Sequence, residues 1–449
     1  MDHGKKRILL ITCFFYPQNR IPVLRVGQWA KYWALQGHEV TVLTTKKYGF
    51  SGPFGLNPGM PEGVSVVEVP YLPAWLEQRL ERGRVPSGAP HPTASSVAQP
   101  KTSVLKEKVR GLRQTIGSLL DIHDLWVAAA YKAGMALIAQ GKYDLIVSSY
   151  SPPAVHVVAS KLKKAHPELI WCADFRDLWA NNHITSAKGL FRKLEHAKER
   201  RTIEGLADAL VTVSQPLAAD LQSRYAELPV WVIENGFDPE EFPGWAENLS
   251  ASRSLADGIH ICYAGTIYPQ AQDPTPLFMA INELIDANLV APEKVSIQFY
   301  GRSEKELRHI IERSNANRHN IIHINGFVAR QTSLAAQKKS SLLLLLESGK
   351  PEARGVMTGK LFEYLVSGTP ILAVGIDRQN VAGALLEATG TGRCSTNTDD
   401  LKQLLLAAMK SGKFEFFNPR IELIAQYARD KQAQRIIDRL SLLQGAAPC

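Results

Sequence analysis

The chain has 449 residues, of which 45% are hydrophobic, a share typical of packed globular cores and too high for a disordered polymer. Its net charge of +9 and pI near 9.2 favour acidic partners such as nucleotides or anionic lipid. The five cysteines are far apart and lack the paired spacings of zinc sites, so we expect a reducing, cytoplasmic location. No apolar run reaches the roughly 18 residues that a transmembrane helix needs, so any membrane contact would be peripheral.

Short apolar runs rich in β-branched residues alternate with helical patterns through the first half of the chain. This alternation is typical of parallel strands that are buried on both faces between crossover helices. It predicts an α/β fold with a helix over 23–36 after the first strand. The strands are predicted at 7–12, 39–43, 64–69, 144–148, 169–173, 209–213 and 230–233.

Residues 83–103 are rich in Gly, Pro, Ser and Ala, which predicts a mobile surface loop. The apolar residues that follow recur at helical spacing, with basic residues off the stripe. Such a helix either docks on the protein with a solvated basic face or lies at a membrane interface. The same two interpretations apply to a second basic segment at 188–201. The stripe consists of Leu105, Val109, Leu112, Ile116 and Leu119, and its basic flank of Lys106, Lys108, Arg110 and Arg113.

The second half predicts another Rossmann-like sheet, with strands at 259–263, 295–300, 321–324, 342–346 and 371–374. Turn chemistry at 235–239 and a polar stretch at 247–258 separate the halves. We therefore expect an N-terminal domain over 1–245 and a C-terminal domain over 256–415. A helical segment over 416–449 can then cross back to the first domain.

A helix is predicted to begin near Gly359, directly after a strand. The start of such a helix offers free backbone N–H groups to a phosphate, and Lys360 adds a full charge. Glu363 lies one turn later on the same face, where its carboxylate can accept hydrogen bonds from ribose hydroxyls. A surface ion pair between Lys360 and Glu363 explains the spacing equally well.

The run 359–369 and the strand after it resemble the donor-site segment of family 4-like glycosyltransferases, which have the GT-B fold. Three further segments agree in order and spacing: 15–17 with 37–42, 174–179, and 234–238. The resemblance is closest to the bacterial subgroup that builds exopolysaccharide, capsule and lipopolysaccharide. It implies two Rossmann-like domains facing each other across a cleft. A nucleoside-diphosphate sugar would be held by the second domain and an acceptor by the first, with retention of configuration and no metal or other cofactor.

Two features depart from the family pattern on the donor side. The ribose-binding glutamate maps onto Glu363, but its partner eight residues earlier falls on Gly355, and neither Glu352 nor Glu347 has the right spacing. The loop at 264–270 also lacks the basic pair that neutralises the diphosphate. Gly265 and Thr266 of this loop, with Gly359, still allow close approach to phosphate. The charge is then expected from Lys360, Arg302 and Arg354.

On the acceptor side, Asp174, Arg176 and Asp177 are predicted to follow a buried strand, where α/β sheets place ligands. Their carboxylates can orient an acceptor hydroxyl or accept its proton. The alternative to this catalytic role is a structural ion pair between aspartate and arginine at the strand end. Residues around the first strand-to-helix turn resemble the loop that closes over the donor, namely Asn19, Arg20 and Arg25.

We therefore predict a glycosyltransferase (EC 2.4) that acts on a lipid-linked or surface-polysaccharide precursor, in the cytoplasm or peripherally on the inner membrane. A dehydrogenase is disfavoured because residues 13–18 lack the glycine fingerprint of dinucleotide sites. A sugar-nucleotide epimerase of the same fold remains open. A basic nucleic-acid-binding protein is less well supported, because no recognised motif is present, and we expect no nucleic-acid partner.

Overall fold

The computed structural model describes residues 4–49, 52, 54–56, 59–82, 115–182, 186–250, 254–268 and 271–445. The predicted mobile loop and most of the apolar stripe that begins at Leu105 lie outside these residues. The chain forms two compact units. Unit 1 comprises Met1–Ile233 and Ala433–Cys449, and unit 2 comprises Glu234–Gln432.

Unit 1 is built on a parallel sheet of seven strands in the order β3-β2-β1-β4-β5-β6-β7. The strands are β1 (Arg7–Thr12), β2 (Glu39–Thr45), β3 (Val64–Val69), β4 (Leu145–Ser149), β5 (Ile170–Phe175), β6 (Ala209–Thr212) and β7 (Val230–Val232). The helices are α1 (Ile21–Leu35), α2 (Ala74–Arg82), α3 (Val127–Gln140), α4 (Ala154–Ala165), α5 (Leu190–Ile203) and α6 (Gln215–Arg224), with a 3-10 turn at Ile122–Trp126 before α3.

Both faces of the central strands β1, β4, β5 and β6 are buried, as the continuous apolar runs predict. Side chains alternate along β1, so Leu9 and Ile11 enter one core while Ile8 and Leu10 enter the other. The last helix of the chain covers part of the second core. Ala433, Ile436, Ile437 and Leu440 are buried there, and Trp33 Nε1 donates a hydrogen bond to the Ala433 carbonyl at 3.0 Å.

Unit 2 is built on a parallel sheet of six strands in the order β10-β9-β8-β11-β12-β13. The strands are β8 (Ile259–Ala264), β9 (Val295–Tyr300), β10 (Ile322–Gly326), β11 (Leu342–Leu346), β12 (Ile371–Val374) and β13 (Gly392–Ser395). The helices are α7 (Trp245–Ser250), α8 (Thr275–Asp286), α9 (Glu304–Ser314), α10 (Arg330–Lys339), α11 (Gly359–Leu365), α12 (Val381–Thr389), α13 (Thr398–Ser411), α14 (Ile421–Ala425) and α15 (Arg429–Gly445), whose last part belongs to unit 1.

The five leucines of β11 show why this sheet is buried on both faces. Leu342, Leu344 and Leu346 enter one core, and Leu343 and Leu345 enter the core on the opposite face. The two Rossmann-like sheets confirm the predicted α/β fold. Within the described residues, the pattern missed the edge strand β13, because its sequence, Gly-Arg-Cys-Ser, has no apolar run.

The strand order of each sheet reverses at one point, between β1 and β4 in unit 1 and between β8 and β11 in unit 2. At such a switch point the connections leave in opposite directions, which opens a crevice at the carboxyl ends of the strands where α/β proteins bind ligands. Among the described residues, no helix is both long and apolar enough to cross a membrane.

Candidate functional site

In unit 2, the carboxyl end of β8 meets the carboxyl end of β9 through two glycines. The Gly265 N–H donates to the Tyr300 carbonyl at 2.8 Å, and a Cβ on Gly301 would lie only 1.9 Å from the Gly265 oxygen. Gly265 has φ +147°, a conformation that side-chain-bearing residues rarely adopt. The backbone at the switch point is therefore bare, and a ligand can approach it closely.

Lys360, in the first turn of α11, reaches this bare backbone. Its Nζ donates to the Tyr263 hydroxyl at 2.9 Å and lies 4.4 Å from the centre of the Tyr263 ring. A Cβ built on Gly265 would be 2.9 Å from the same Nζ. Lys360 therefore places its ammonium group at the switch point, although α11 follows β11 and not β8.

Glu347 is the buried counter-charge of Lys360. It directly follows β11, its side chain is 6% exposed, and it accepts a hydrogen bond from Thr358 Oγ1 at 2.7 Å. Desolvation raises the pKa of Glu347, although the Lys360 charge and the Thr358 bond oppose that shift. For Lys360, desolvation acts to lower the pKa, but Tyr263 and Glu347 outweigh it and the pKa is raised. The ammonium group thus stays charged in a half-buried position.

Glu363 has a different partner. Arg330, from α10, donates from one terminal nitrogen to Glu363 Oε1 at 2.9 Å and to Glu241 Oε2 at 2.9 Å. Desolvation raises the pKa of Glu363, and the Arg330 charge opposes the shift. Among the described residues, Lys360 and Glu363 form no ion pair with each other. The surface ion pair that their spacing allowed is therefore absent from this part of the chain.

The remaining donor-side candidates lie around these groups. Arg302 follows the glycine at the end of β9, is exposed, and places its guanidinium 4.2 Å from the centre of the Phe327 ring. Thr266 is exposed, and its carbonyl accepts the Tyr263 hydroxyl at 2.9 Å. Arg354 is half-buried beyond a short 3-10 turn, and its carbonyl accepts the Val381 N–H. Gly359 is the first residue of α11.

In unit 1, Asp174 lies inside β5, because the strand continues to Phe175. It is fully buried, and Arg25 of α1 binds it with two nitrogens, Nε to Oδ2 at 3.1 Å and Nη2 to Oδ1 at 2.9 Å. The Ser149 hydroxyl donates to the same carboxylate at 2.6 Å. Arg25, which is 2% exposed, also donates to the Ile233 carbonyl. Asp174 thus forms the structural pair of an aspartate and an arginine that the sequence analysis gave as the alternative. Its arginine, however, is 149 residues away in the sequence.

Arg176 and Asp177 do follow β5. Arg176 donates from Nε to the Tyr150 carbonyl at 2.6 Å, and its Nη1 lies 3.4 Å from Asp177 Oδ2. The Asp177 side chain is 38% exposed, whereas that of Arg176 is 16% exposed. Asp177 is thus the acidic group of this run that solvent reaches at the strand end, and Arg176 holds its position.

Asn19 and Arg20 lie in the loop between β1 and α1, and both are exposed. The Arg20 guanidinium lies 5.1 Å from the centre of the Phe14 ring and packs against Gly52. These two residues remain accessible at the carboxyl end of β1, in contrast to the buried Arg25.

Sequence reasoning missed Tyr263, Glu347 and Arg330 as members of the donor-side group. The sequence does contain a signal for Glu347, because a charged residue directly after a run of five leucines needs a polar partner at the end of the strand. Tyr263 and Arg330 carried none, because each meets its partner only through the tertiary fold.

Comparison with known proteins gives one family match. Residues 98–241 match the sequence model of Glycosyltransferase Family 4. No protein of curated function matches the chain in sequence.

Several solved structures match over almost the whole chain. A sucrose-phosphate synthase from Thermosynechococcus elongatus has 13% identity and a TM-score of 0.60 over 99% of this chain and 100% of its own. The trehalose 6-phosphate synthase of Burkholderia multivorans has 12% identity and a TM-score of 0.61 over 99% and 98%. The lipopolysaccharide outer core galactosyltransferase WaaB has 10% identity and a TM-score of 0.56 over 98% and 99%. At such identities the likeness establishes the fold, which is GT-B.

Proposed function

Because the chain is a glycosyltransferase of the GT-B fold that takes its sugar from a nucleotide sugar, we propose that unit 2 binds the donor diphosphate at its switch point, with Lys360 as the main cation. One observation carries this proposal: the charged Lys360 Nζ lies against the bare backbone of Gly265. A diphosphate needs both a cation and close backbone approach, and this position offers the two together.

The neighbouring side chains suit the other parts of the donor. Arg302 follows Gly301, whose backbone contacts Gly265, so it can supply the second charge that the sequence 264–270 lacks. Negative charge develops on the diphosphate as it departs, and preorganised cations stabilise it without rearrangement. We assign Glu363 to the ribose hydroxyls, with Arg330 fixing the orientation of its carboxylate. Thr266, Gly359 and Arg354 would complete the surroundings of the donor.

In unit 1 we assign the acceptor hydroxyl to Asp177. Its exposed carboxylate at the end of β5 can orient the hydroxyl and accept its proton, while Arg176 holds it in place. We assign Asp174 and Arg25 to positioning β5 and α1, because neither can touch a substrate from a buried pair. Asn19 and Arg20, which are exposed after β1, are proposed to contact a substrate.

The acceptor proposed here is a lipid-linked or surface-polysaccharide precursor at the cytoplasmic face of the inner membrane, and the anomeric configuration of the sugar is retained. The subgroup resemblance of the segment Asp174–Trp179 supports this acceptor class, as does the basic charge of the chain.

A donor screen tests the proposed function. We expect a subset of UDP-, GDP- and dTDP-sugars to raise the thermal midpoint of the protein and to yield free nucleoside diphosphate. Transfer to a membrane-lipid extract would be followed with a radiolabelled donor. Conversion of a sugar nucleotide to its epimer without any acceptor would instead identify the alternative epimerase.

Lys360 is assigned to the diphosphate of the donor and Glu363 to its ribose, which gives a quantitative prediction. Lys360→Ala should lower the affinity for the nucleoside diphosphate about ten- to a hundredfold, because a hydrogen bond to a charged group contributes roughly 1.5 to 3 kcal/mol. It should leave the free nucleoside nearly unchanged. Glu363→Gln should lower the affinity for both ligands by the same factor, because both contain the ribose. Calorimetric titration of each variant with each ligand measures these factors.

Lys339→Ala is a matched control, because Lys339 is an exposed lysine in unit 2 on α10. The double variant Lys360→Ala with Glu347→Gln removes the buried counter-charge and separates a binding defect from the instability of an unpaired Glu347. If both Lys360 variants keep the diphosphate affinity of the wild type, the cation assignment is wrong and Arg302 becomes the leading candidate.

A further inference from the structure

Unit 1 exposes a group of large apolar side chains on two short segments. They are Leu120, Ile122, Leu125, Leu190, Phe191 and Leu194, and Leu120 and Leu190 are each 70% exposed. We call these six residues the apolar platform. Exposed apolar side chains that occur singly need no explanation, but a group of them on adjoining segments marks an interaction surface.

Hydrogen bonds hold the two segments together. Lys198 Nζ donates to the Leu119 carbonyl at 2.9 Å and lies 3.4 Å from the Asp124 carboxylate. Phe191, Leu194 and Lys198 have helical spacing i, i+3 and i+7 on α5, so they share one face of that helix. The face that carries Phe191 and Leu194 therefore adjoins the segment that carries Leu120, Ile122 and Leu125.

Buried carboxylates anchor α5 on its inner face. Glu195 is fully buried and accepts hydrogen bonds from the Ser118 N–H at 2.7 Å and the Ala187 N–H at 2.9 Å. Glu199, one turn later and equally buried, accepts the Ala180 N–H and the Tyr225 hydroxyl. The inner face of α5 is thus anchored by carboxylates, and its outer face is presented to the surroundings.

A basic cavity of about 340 Å³ lies on the neighbouring flank of α5. Its basic lining residues are Lys193, His196, Arg200, Arg201 and Arg224. Arg224 is already paired with Glu199 and Asp220, and desolvation lowers the pKa of His196. Arg200 Nε lies 3.9 Å from Glu204 Oε2 in an exposed pair that a ligand can replace, because such surface pairs contribute little stability. The charge offered to a ligand therefore comes from Lys193, Arg200 and Arg201, which are all exposed.

We propose that this face docks unit 1 on an anionic phospholipid bilayer. The apolar platform enters the boundary between head groups and acyl chains, and the basic cavity receives lipid phosphates. The charge pattern favours this occupant over a second copy of the chain, because a symmetric contact would bring the three cations of each copy together. Aliphatic side chains dominate the platform, which disfavours single-stranded nucleic acid, since bases stack on aromatic rings. The inference deepens the inner-membrane location given under the proposed function, but it does not rest on the transfer reaction.

Vesicle co-sedimentation tests the proposal. The wild-type protein should bind vesicles of phosphatidylcholine and phosphatidylglycerol, should not bind vesicles of phosphatidylcholine alone, and should dissociate as salt is raised. The triple variant Lys193→Gln, Arg200→Gln, Arg201→Gln should bind about a hundredfold more weakly, because each basic residue near an anionic surface contributes about fivefold. The double variant Leu190→Ser, Leu194→Ser should lose binding although its charge is unchanged.

Matched controls lie elsewhere on the surface. Lys305→Gln, Arg313→Gln and Lys410→Gln remove three exposed cations from unit 2, and Leu442→Ser removes an apolar side chain of unit 1 that is 65% exposed. Both controls should bind vesicles like the wild type. Circular dichroism and titration with nucleoside diphosphate verify that every variant is folded. If the vesicle experiment fails, the donor-site proposal is therefore unaffected. Equal binding to neutral vesicles, full binding by both test variants, or dimers that form through this face in place of vesicle binding would overturn the proposal.

Discussion

Asp177→Asn is expected to lower the rate of sugar transfer by about two to four orders of magnitude while leaving the affinity for the nucleoside diphosphate unchanged. The substitution keeps the shape of the side chain but removes the basic oxygen that would accept the acceptor proton, and general-base assistance typically contributes a factor of this size. Arg176 would still be held by the Tyr150 carbonyl, so the strand end should keep its geometry. Single-turnover transfer from the donor found in the screen, with calorimetry on the same preparation, measures both quantities.

Two comparisons sharpen this result. Glu227→Gln removes an exposed carboxylate elsewhere in unit 1 and should change neither quantity. Asp174→Asn should instead lower the free energy of unfolding by about 3 to 5 kcal/mol, because it leaves the Arg25 guanidinium buried without its counter-charge. The turnover of the molecules that remain folded should be retained. If Asp177→Asn behaves like Asp174→Asn, then Asp177 is structural as well.

Much of the fold followed from local sequence pattern. Strands β1, β3, β9, β11 and β12 have the bounds that their apolar runs predicted, because a buried parallel strand needs an uninterrupted run and turn residues limit it. Strand β13 pairs in parallel with β12 at the sheet edge, and backbone pairing leaves little trace in the pattern of side chains.

The sites were less predictable because their geometry depends on distant parts of the chain. Ending β5 at residue 173 placed Asp174 beyond the strand, but two further residues of pairing with β6 draw it into the core. Lys360 was singled out for its charge near a helix start. Its position at the end of β8 depends on Tyr263, 97 residues away. Spacing excluded Glu347 from the family pattern, yet it is buried beside Lys360, because β11 brings it to the sheet edge that α11 also reaches.

The buried histidine of unit 1 gives the second large expected effect. His156 is fully buried among aromatic rings, with the Phe175 ring centre 4.7 Å away, and its Nδ1 is 2.8 Å from Ser148 Oγ. The Trp171 indole N–H donates to the same hydroxyl oxygen, which leaves the Ser148 proton free to bond Nδ1. Within the described residues, the buried Nε2 has no hydrogen-bond partner. Nothing in this cluster supports a second proton on the ring, and desolvation lowers the pKa of His156 to about 3.

This lowered pKa makes the stability of unit 1 depend on pH. In the unfolded chain His156 binds a proton below about pH 6.5, whereas in the folded unit it stays neutral down to about pH 3. The unfolded state therefore binds more protons in that window, and the free energy of unfolding falls as the pH is lowered through it. The full loss approaches about 5 kcal/mol, with a slope of up to about 1.4 kcal/mol per pH unit.

His156→Phe removes the titratable ring while retaining an aromatic side chain in the cluster. Its unfolding free energy should be lower near neutral pH, because the bond to Ser148 is lost, but it should fall less steeply than that of the wild type between about pH 6 and pH 4. Urea titrations followed by the fluorescence of the buried Trp171 and Trp179 report on this cluster. His309→Gln, at an exposed position on α9, should keep the wild-type slope. Parallel pH profiles for the wild type and His156→Phe would mean that His156 is protonated within the folded core, and the assignment of a neutral ring would have to be abandoned.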